Sequence, residues 1–248
     1  MNLILLKRSE EHSHLPADDP RTQHLRQVLR IRLGATFYVG LPNGPRGLAT
    51  LEQNTHDGLH YSVTWEPEPP AVQPLALLYA LNRPQTTRRL LHDAACLGVK
   101  ALHCFTAEKG EPAYARSKLW QTAEWQQRLE EGAAQAFSTN IPEVIHYKSL
   151  ADCIEKLDTN WQERLALDIY EATSPLAQLE LNNETETILA LGPERGWSGE
   201  ERSTLRQAGF ELVHLGERVL RTEAALVAGA TLVLARKGAL DRPYLPMS

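Results

Sequence analysis

The stretch Leu191–Glu201, LGPERGWSGEE, decides how the chain is read. It follows an apolar run, TILAL (187–191), and sets Gly192, Pro193, Gly196 and Gly199 around Glu194 and Arg195. A second corner of the same kind comes soon after, in His214–Ala225, HLGERVLRTEAA, again behind an apolar strand-like run. Glycine lets a backbone turn sharply and approach a ligand closely. In open α/β sheets ligands bind beyond the C-terminal ends of parallel strands, where both corners would lie. Each corner opens a helix whose first N–H groups suit a carboxylate or phosphate. Ordinary strand-to-helix turns would look the same, and neither corner carries a dinucleotide fingerprint or a P-loop.

Outward from the corners the chain alternates. Strands are expected at PLALLYAL (74–81), VKALHCFTA (99–107), PEVIHY (142–147), RLALDIY (164–170), ETILALG (186–192) and FELVHLG (210–216). Between them fall helices at PQTTRRLLHDAACLG (84–98), SKLWQTAEWQQRLEEGAAQAF (117–137), SLADCIEKL (149–157) and SGEERSTLRQAG (198–209), with TEAALVAGATLVLARKG (222–238) last. Ser198 and Glu201 have the spacing of a capping box. The last helix is small-sided, with Ala224, Ala225, Ala228, Gly229 and Ala230, so other backbone can pack close to it. Alternation of this kind means a parallel sheet with helices on its faces, an α/β class.

The proline-rich joint EPEPPAVQP (66–74) stiffens the chain and forbids helix, so two domains are expected, 1–72 and 73–248. The first reads as short strands, LILL (3–6), ATFYVGL (35–41), RGLATLEQ (46–53) and LHYSVTW (59–65), with one helix over 20–31. That pattern is a small β-barrel.

The 248 residues, 42% of them hydrophobic, suffice for a sizeable core. No apolar run is long enough to cross a membrane, and MNLILLKRSEE lacks the form of a secretory signal, so a cytoplasmic protein without membrane contact is expected. Cys96, Cys104 and Cys153 share no metal-ligand spacing and read as reduced core residues. No metal is expected, because the nine histidines show no ligand spacing, and the neighbours His12 and His14 read as surface. A net charge of -5 argues against a general polyanion binder but not against a local basic face. Arg21, His24, Arg26, Arg30 and Arg32 form one such run, which reads equally well as a solvated helix face. Arg83, Arg88 and Arg89 form another, and YARSKLW (114–120) mixes Tyr114, Arg116, Lys118 and Trp120. Arg26, Arg30, Arg88 and Arg116 are the candidate phosphate contacts, which the resemblance described next would make RNA contacts.

Taken together, LGPERGWSGEE and HLGERVLRTEAA resemble the paired signature of the SPOUT methyltransferases that modify N3 of a uridine in small-subunit ribosomal RNA. The resemblance covers the whole chain and implies a PUA-like β-barrel followed by a parallel-sheet SPOUT domain with a deep trefoil knot. It implies S-adenosylmethionine as cofactor, S-adenosylhomocysteine as product, a homodimer, and 16S rRNA or the small ribosomal subunit as partner. Mapped onto this sequence, the cofactor residues would be Leu191, Gly192, Pro193, Glu194, Gly196, Leu215, Gly216, Arg218, Val219, Leu220, Thr222 and Ala224. Uracil N3 is a poor nucleophile while protonated, so Glu194 is the candidate base and Arg221 the candidate for stabilising the developing anion. Arg218 and Glu223 read evenly between site and support.

The chain departs from the family pattern at several positions. Arg195 stands where the family has glycine, NRPQTTRRLLHDAACLGV (82–99) keeps only the final LGV, and Ser138 replaces an arginine. The cofactor half therefore matches better than the RNA half. A knotted paralogue acting on another RNA, and a non-catalytic RNA-binding or assembly module, are the rival readings.

Overall fold

The structure is a computed structural model and describes residues 3–10, 14–158 and 160–241; His12 lies outside them. Among the described residues the chain divides into two compact units: Leu3–Ala71 with Ala133–Ile141, and Val72–Gly132 with Pro142–Asp241.

The first unit holds β1 (Ile4–Leu5), β2 (His14–Pro16), α1 (Pro20–Gln23), β3 (Thr36–Gly40), β4 (Arg46–Thr55) and β5 (Gly58–Trp65). Its sheet runs β1-β3-β4-β5-β2, with β1 parallel to β3 and the other pairs antiparallel. Period-two burial sends Leu15, Phe37, Val39, Ala49, Leu51, Leu59 and Tyr61 into one apolar core. The expected helix over 20–31 is shorter: α1 widens into a π turn over His24–Val28. Arg30 then takes a left-handed φ of 48°, and Ile31 N–H bonds back to Leu25 O, closing the end as a Schellman cap does. The run 133–141 belongs here as well. Asn43 N–H donates to Thr139 O, Thr139 Oγ1 donates to Gly44 O, and the Arg46 guanidinium lies 5.4 Å from the Phe137 ring centre.

The second unit starts with β6 (Leu75–Ala80), α2 (Pro84–Cys96) and β7 (Ala101–Phe105), then α3 (Lys118–Gln121) and α4 (Glu124–Gln135). It continues with β8 (Glu143–Tyr147), α5 (Leu150–Lys156), β9 (Trp161–Leu167), β10 (Ser174–Pro175), β11 (Glu186–Leu191), α6 (Gly199–Gln207), β12 (Glu211–His214) and α7 (Thr222–Arg236). All pairs are parallel, in the order β10-β12-β9-β11-β6-β7-β8. The central strands β6 and β11 are buried almost throughout, which is why they read as unbroken apolar runs. The expected long helix over 117–137 is two helices. Thr122 is extended there, at φ -118° and ψ 175°; its hydroxyl donates to Lys118 O and accepts from Glu124 N–H, ending one helix and starting the next.

Gly132 sets how closely α4 approaches α2. A Cβ at this position would overlap His92 O and press on the Ala95 methyl. Gly132→Ala is expected to lower stability by about 1–3 kcal/mol through this overpacking, read as a drop in the thermal midpoint. At the end of α7, Lys237 Nζ is fully buried; it donates to Asn182 O and Thr185 O and pairs with Glu163 at 2.7 Å. Despite the cost of burying Glu163, its bonds from Lys237 and Thr187 hold its carboxyl below the usual range. Cys104 and Cys153 are buried, Cys96 is half-buried, and all three are free. Among the described residues no helix is long and apolar enough to cross a membrane.

Candidate functional site

Four neighbouring strands, β12, β9, β11 and β6, deliver their C-terminal ends to one cleft of about 650 Å³. β11 runs into Gly192–Gly196, β12 into Leu215–Leu220, β9 into Asp168–Tyr170, and β6 into Arg83. The sheet order makes this convergence: the two glycine corners lie on either side of β9, so both face the same crevice.

The floor is Trp197, 1% exposed. Its indole N–H donates to Leu167 O at 2.9 Å, and its ring stacks on Phe105 with centroids 6.2 Å apart. Gly192 lies directly against this ring, and a Cβ there would sit 3.1 Å from the indole. Below the corner, Ser198 caps α6: its Oγ accepts from Glu201 N–H while the Glu201 carboxylate accepts from Ser198 N–H, the capping box expected from the sequence. The same carboxylate accepts from Glu108 N–H, and Lys109 Nζ donates to Trp197 O.

Asn82, 2% exposed, joins the two corners. Its Oδ1 accepts from Glu194 N–H at 3.0 Å, and its Nδ2 lies 3.5 Å from Thr222 Oγ1. On the far wall Asp168 accepts from the N–H groups of Tyr170 and Glu171 and pairs with Arg202, both side chains being buried. The Arg202 guanidinium also lies under the Tyr170 ring, 5.6 Å from its centre.

The rim is charged. Arg83 pairs with Glu194 at 3.4 Å and Arg89 with Glu223 at 3.7 Å. A hydrogen bond with Tyr114, and then the Glu194 charge, raise the Arg83 pKa. Arg218 and Arg221 are exposed, and among the described residues neither has an acidic partner. Arg221 is the N-cap of α7 but contributes no side-chain cap, which leaves the first N–H groups of that helix open at Thr222 and Glu223. An apolar floor, an uncapped helix start and a ring of arginines together suit an elongated polar ligand with an anionic end.

Of the residues singled out from the sequence, Leu191, Gly192, Pro193, Glu194, Gly196, Leu215, Gly216, Arg218, Val219, Leu220, Arg221, Thr222 and Glu223 all line the cleft. Ala224 does not: it is exposed, and the helical turn brings Ala225 to the cleft instead. Sequence reasoning missed Trp197, Asp168, Tyr170 and His214, which also line it. Of the candidate RNA contacts, two are held by other protein groups and two are exposed. Arg26 is held by Asn54 Oδ1 and by the carbonyls of Thr55 and Gly58, while Arg30 is exposed. Arg21, from the same run, is bound by Glu10 and Asp19. Arg88 is gripped by Glu124 through two hydrogen bonds, which raises its pKa, and Arg116 is exposed. Trp120 is half-buried with its ring edge-on to His146.

Comparison with known proteins gives concordant matches. The family described as RNA methyltransferase domain matches residues 68–234. The chain is 32% identical to a ribosomal RNA small subunit methyltransferase E of Treponema pallidum, over 98% of this chain and 94% of that one. It is 24% identical to methyltransferase E 1 of Borreliella burgdorferi, over 96% and 98%. Among solved structures, a ribosomal RNA small subunit methyltransferase E from Neisseria gonorrhoeae, bound to S-adenosyl methionine, has the same fold: TM-score 0.78 at 21% identity, covering 95% of this chain and 97% of that one.

Proposed function

The chain belongs to the RNA methyltransferase family that includes the small-subunit methyltransferase E proteins, and from that premise we propose that it methylates N3 of a uridine in small-subunit ribosomal RNA, using S-adenosylmethionine. The observation that carries this reading is the convergence of both glycine corners, with the ends of β9 and β6, on one cleft. The residues fit the cofactor. The Trp197 ring beneath Gly192 gives an apolar floor suited to a purine, and the uncapped start of α7 suits a carboxylate. Leu191, Gly192, Leu215 and Leu220 would hold the adenine side.

When bound, S-adenosylmethionine supplies a methyl group on a sulfonium, open to in-line attack. The chain's own residues prepare the nucleophile. Glu194, at the rim with its backbone fixed by Asn82, accepts the N3 proton. Arg221, free of an acidic partner among the described residues, stabilises the charge left on the uracil oxygens. Glu223 positions Arg89 at the same rim.

The finer architecture is part of the proposal. Contacts of α7 with β11, β6 and the turn at Leu176–Gln178 support its passage through a knotted loop, and the five-stranded first unit supports a PUA-like barrel that binds RNA. Exposed Ile169, Tyr170, Val219, Leu220 and Val227 are apolar and support a homodimer, since a second copy would cover them. The protein would act in the cytoplasm, with its rRNA.

The test uses small subunits from cells lacking the gene, purified chain and methyl-labelled cofactor, with the labelled nucleoside identified by mass spectrometry. N3-methyluridine is expected. A different methylated nucleoside would replace this reading with a paralogue acting on another RNA, which the departures around Arg195 and Ser138 would then explain. Cofactor binding with no transfer to any cellular RNA would favour the non-catalytic module.

A further inference from the structure

We propose that His14, His60 and Asp57 form a binding site for a divalent transition-metal ion of the zinc type, in the first unit and without a part in methyl transfer. The antiparallel register of β2 and β5 places His14 directly opposite His60, so both imidazoles stand on one face of the sheet. Their neighbours Leu15 and Leu59 point to the other face and are fully buried. The two rings lie 4.6 Å apart. Asp57, in the turn that joins β4 to β5, brings its carboxylate to 3.8 Å from His60 Nε2. One ring nitrogen from each histidine and one carboxylate oxygen fall within 4.8 Å of one another.

Three further features make this a built cluster rather than a chance meeting of side chains. The first is Gly58, which sits under the His14 ring: a Cβ there would overlap both that ring and Leu15 O, so only glycine leaves the space the imidazole fills. The second is His14 Nε2, which is buried and has no hydrogen-bond partner, an unsatisfied state that costs free energy unless something completes it. The third is the turn itself. Arg26 pins it by donating to Thr55 O and Gly58 O, contacts that leave the Asp57 carboxylate unpaired by arginine. The Thr55 hydroxyl donates to that carboxylate and fixes its orientation.

Two imidazoles and a carboxylate select zinc, nickel, cobalt or copper over magnesium and calcium, which prefer all-oxygen sets. Ligand atoms around a tetrahedral ion lie about 3.3 Å apart, given metal–nitrogen bonds near 2.0 Å. The three groups therefore draw together on binding, with water filling the remaining positions. Asp57 and His60 have side-chain exposures of 54% and 34%, so an ion can enter from solvent. Its effect is to fasten the edge strand β2 to β5.

The test takes the full chain without an affinity tag. Zinc uptake is measured by calorimetry and cobalt uptake by visible absorption. One ion per chain is expected, with a cobalt spectrum of nitrogen and oxygen ligation and a higher thermal midpoint in zinc. His60→Gln and Asp57→Asn, both on the solvent face, should each weaken binding by at least about tenfold. Cys96→Ser should leave it unchanged. No uptake by the parent chain would overturn the proposal. So would a thiolate-to-cobalt band, or affinity unaltered in both variants.

Discussion

Asp168→Ala is expected to destabilise the second unit by about 3–5 kcal/mol, because it leaves the Arg202 guanidinium buried without its counter-charge. The Asp168 and Arg202 side chains are 1% and 9% exposed. The carboxylate also accepts from the N–H groups of Tyr170 and Glu171, which shape the turn after β9 and bring Tyr170 into the cleft wall. Three interactions are lost at once: the bonds from Tyr170 N–H and Glu171 N–H and the pair with Arg202. For a chain of this size the loss corresponds to a thermal midpoint lower by roughly 10 °C. Pairing the change with Arg202→Met removes the orphaned charge and should recover much of the stability. That double variant separates the cost of an unpaired charge from the cost of a disordered turn. Glu171 is a weaker second partner for Arg202, at 3.6 Å and itself part-exposed, and does not replace Asp168.

Glu194→Gln is expected to lower kcat by about 10²–10⁴-fold, the range for loss of a general base, while cofactor affinity stays within a few-fold. The two effects separate because the residue does two things. Its backbone N–H is held by Asn82 Oδ1, and the glutamine variant keeps that bond and hence the shape of the corner. Its carboxylate faces Arg83 at 3.4 Å and is the group removed. Arg83 is 70% exposed, so losing this partner has little effect on stability. Single-turnover methyl transfer to small subunits, alongside calorimetric cofactor binding, distinguishes the cases. Full turnover in Glu194→Gln would remove this carboxylate from the proton transfer and leave Arg221 as the main aid to the uracil anion.

Much of the second unit was legible in the sequence, for a physical reason. Strands such as β6 and β11 are buried on both faces and so appear as unbroken apolar runs, and the start of α6 is spelled out by Ser198 and Glu201. What escaped depends on interactions the sequence does not order. Thr122 splits a helix because its hydroxyl competes for the backbone, although every neighbouring residue favours helix. β2 is three residues long and ends in proline, too short to show a period. The run 133–141 joins the first unit through Asn43, Gly44 and Arg46, far away in sequence.

The candidate site divides along the same line. The glycine corners announce themselves, and every residue taken from them lines the cleft except Ala224, which is one position out of phase with the helix. Asp168 and Tyr170 enter only because β9 lies between β12 and β11, an order fixed by tertiary pairing, whereas Trp197 sits in the first corner itself. Arg26 and Arg88 looked like free cations, yet one holds a hairpin turn and the other a glutamate. His14 and His60 show no ligand spacing along the chain and meet only through strand register.

In the proposed cofactor site the ends of β12, β9, β11 and β6 act together. Crystals of the chain grown with S-adenosylhomocysteine test this most directly. The ligand is expected between the two corners, its adenine against Gly192, Leu215 and Leu220 and its carboxylate at the start of α7. A ligand bound anywhere else on the chain would contradict it.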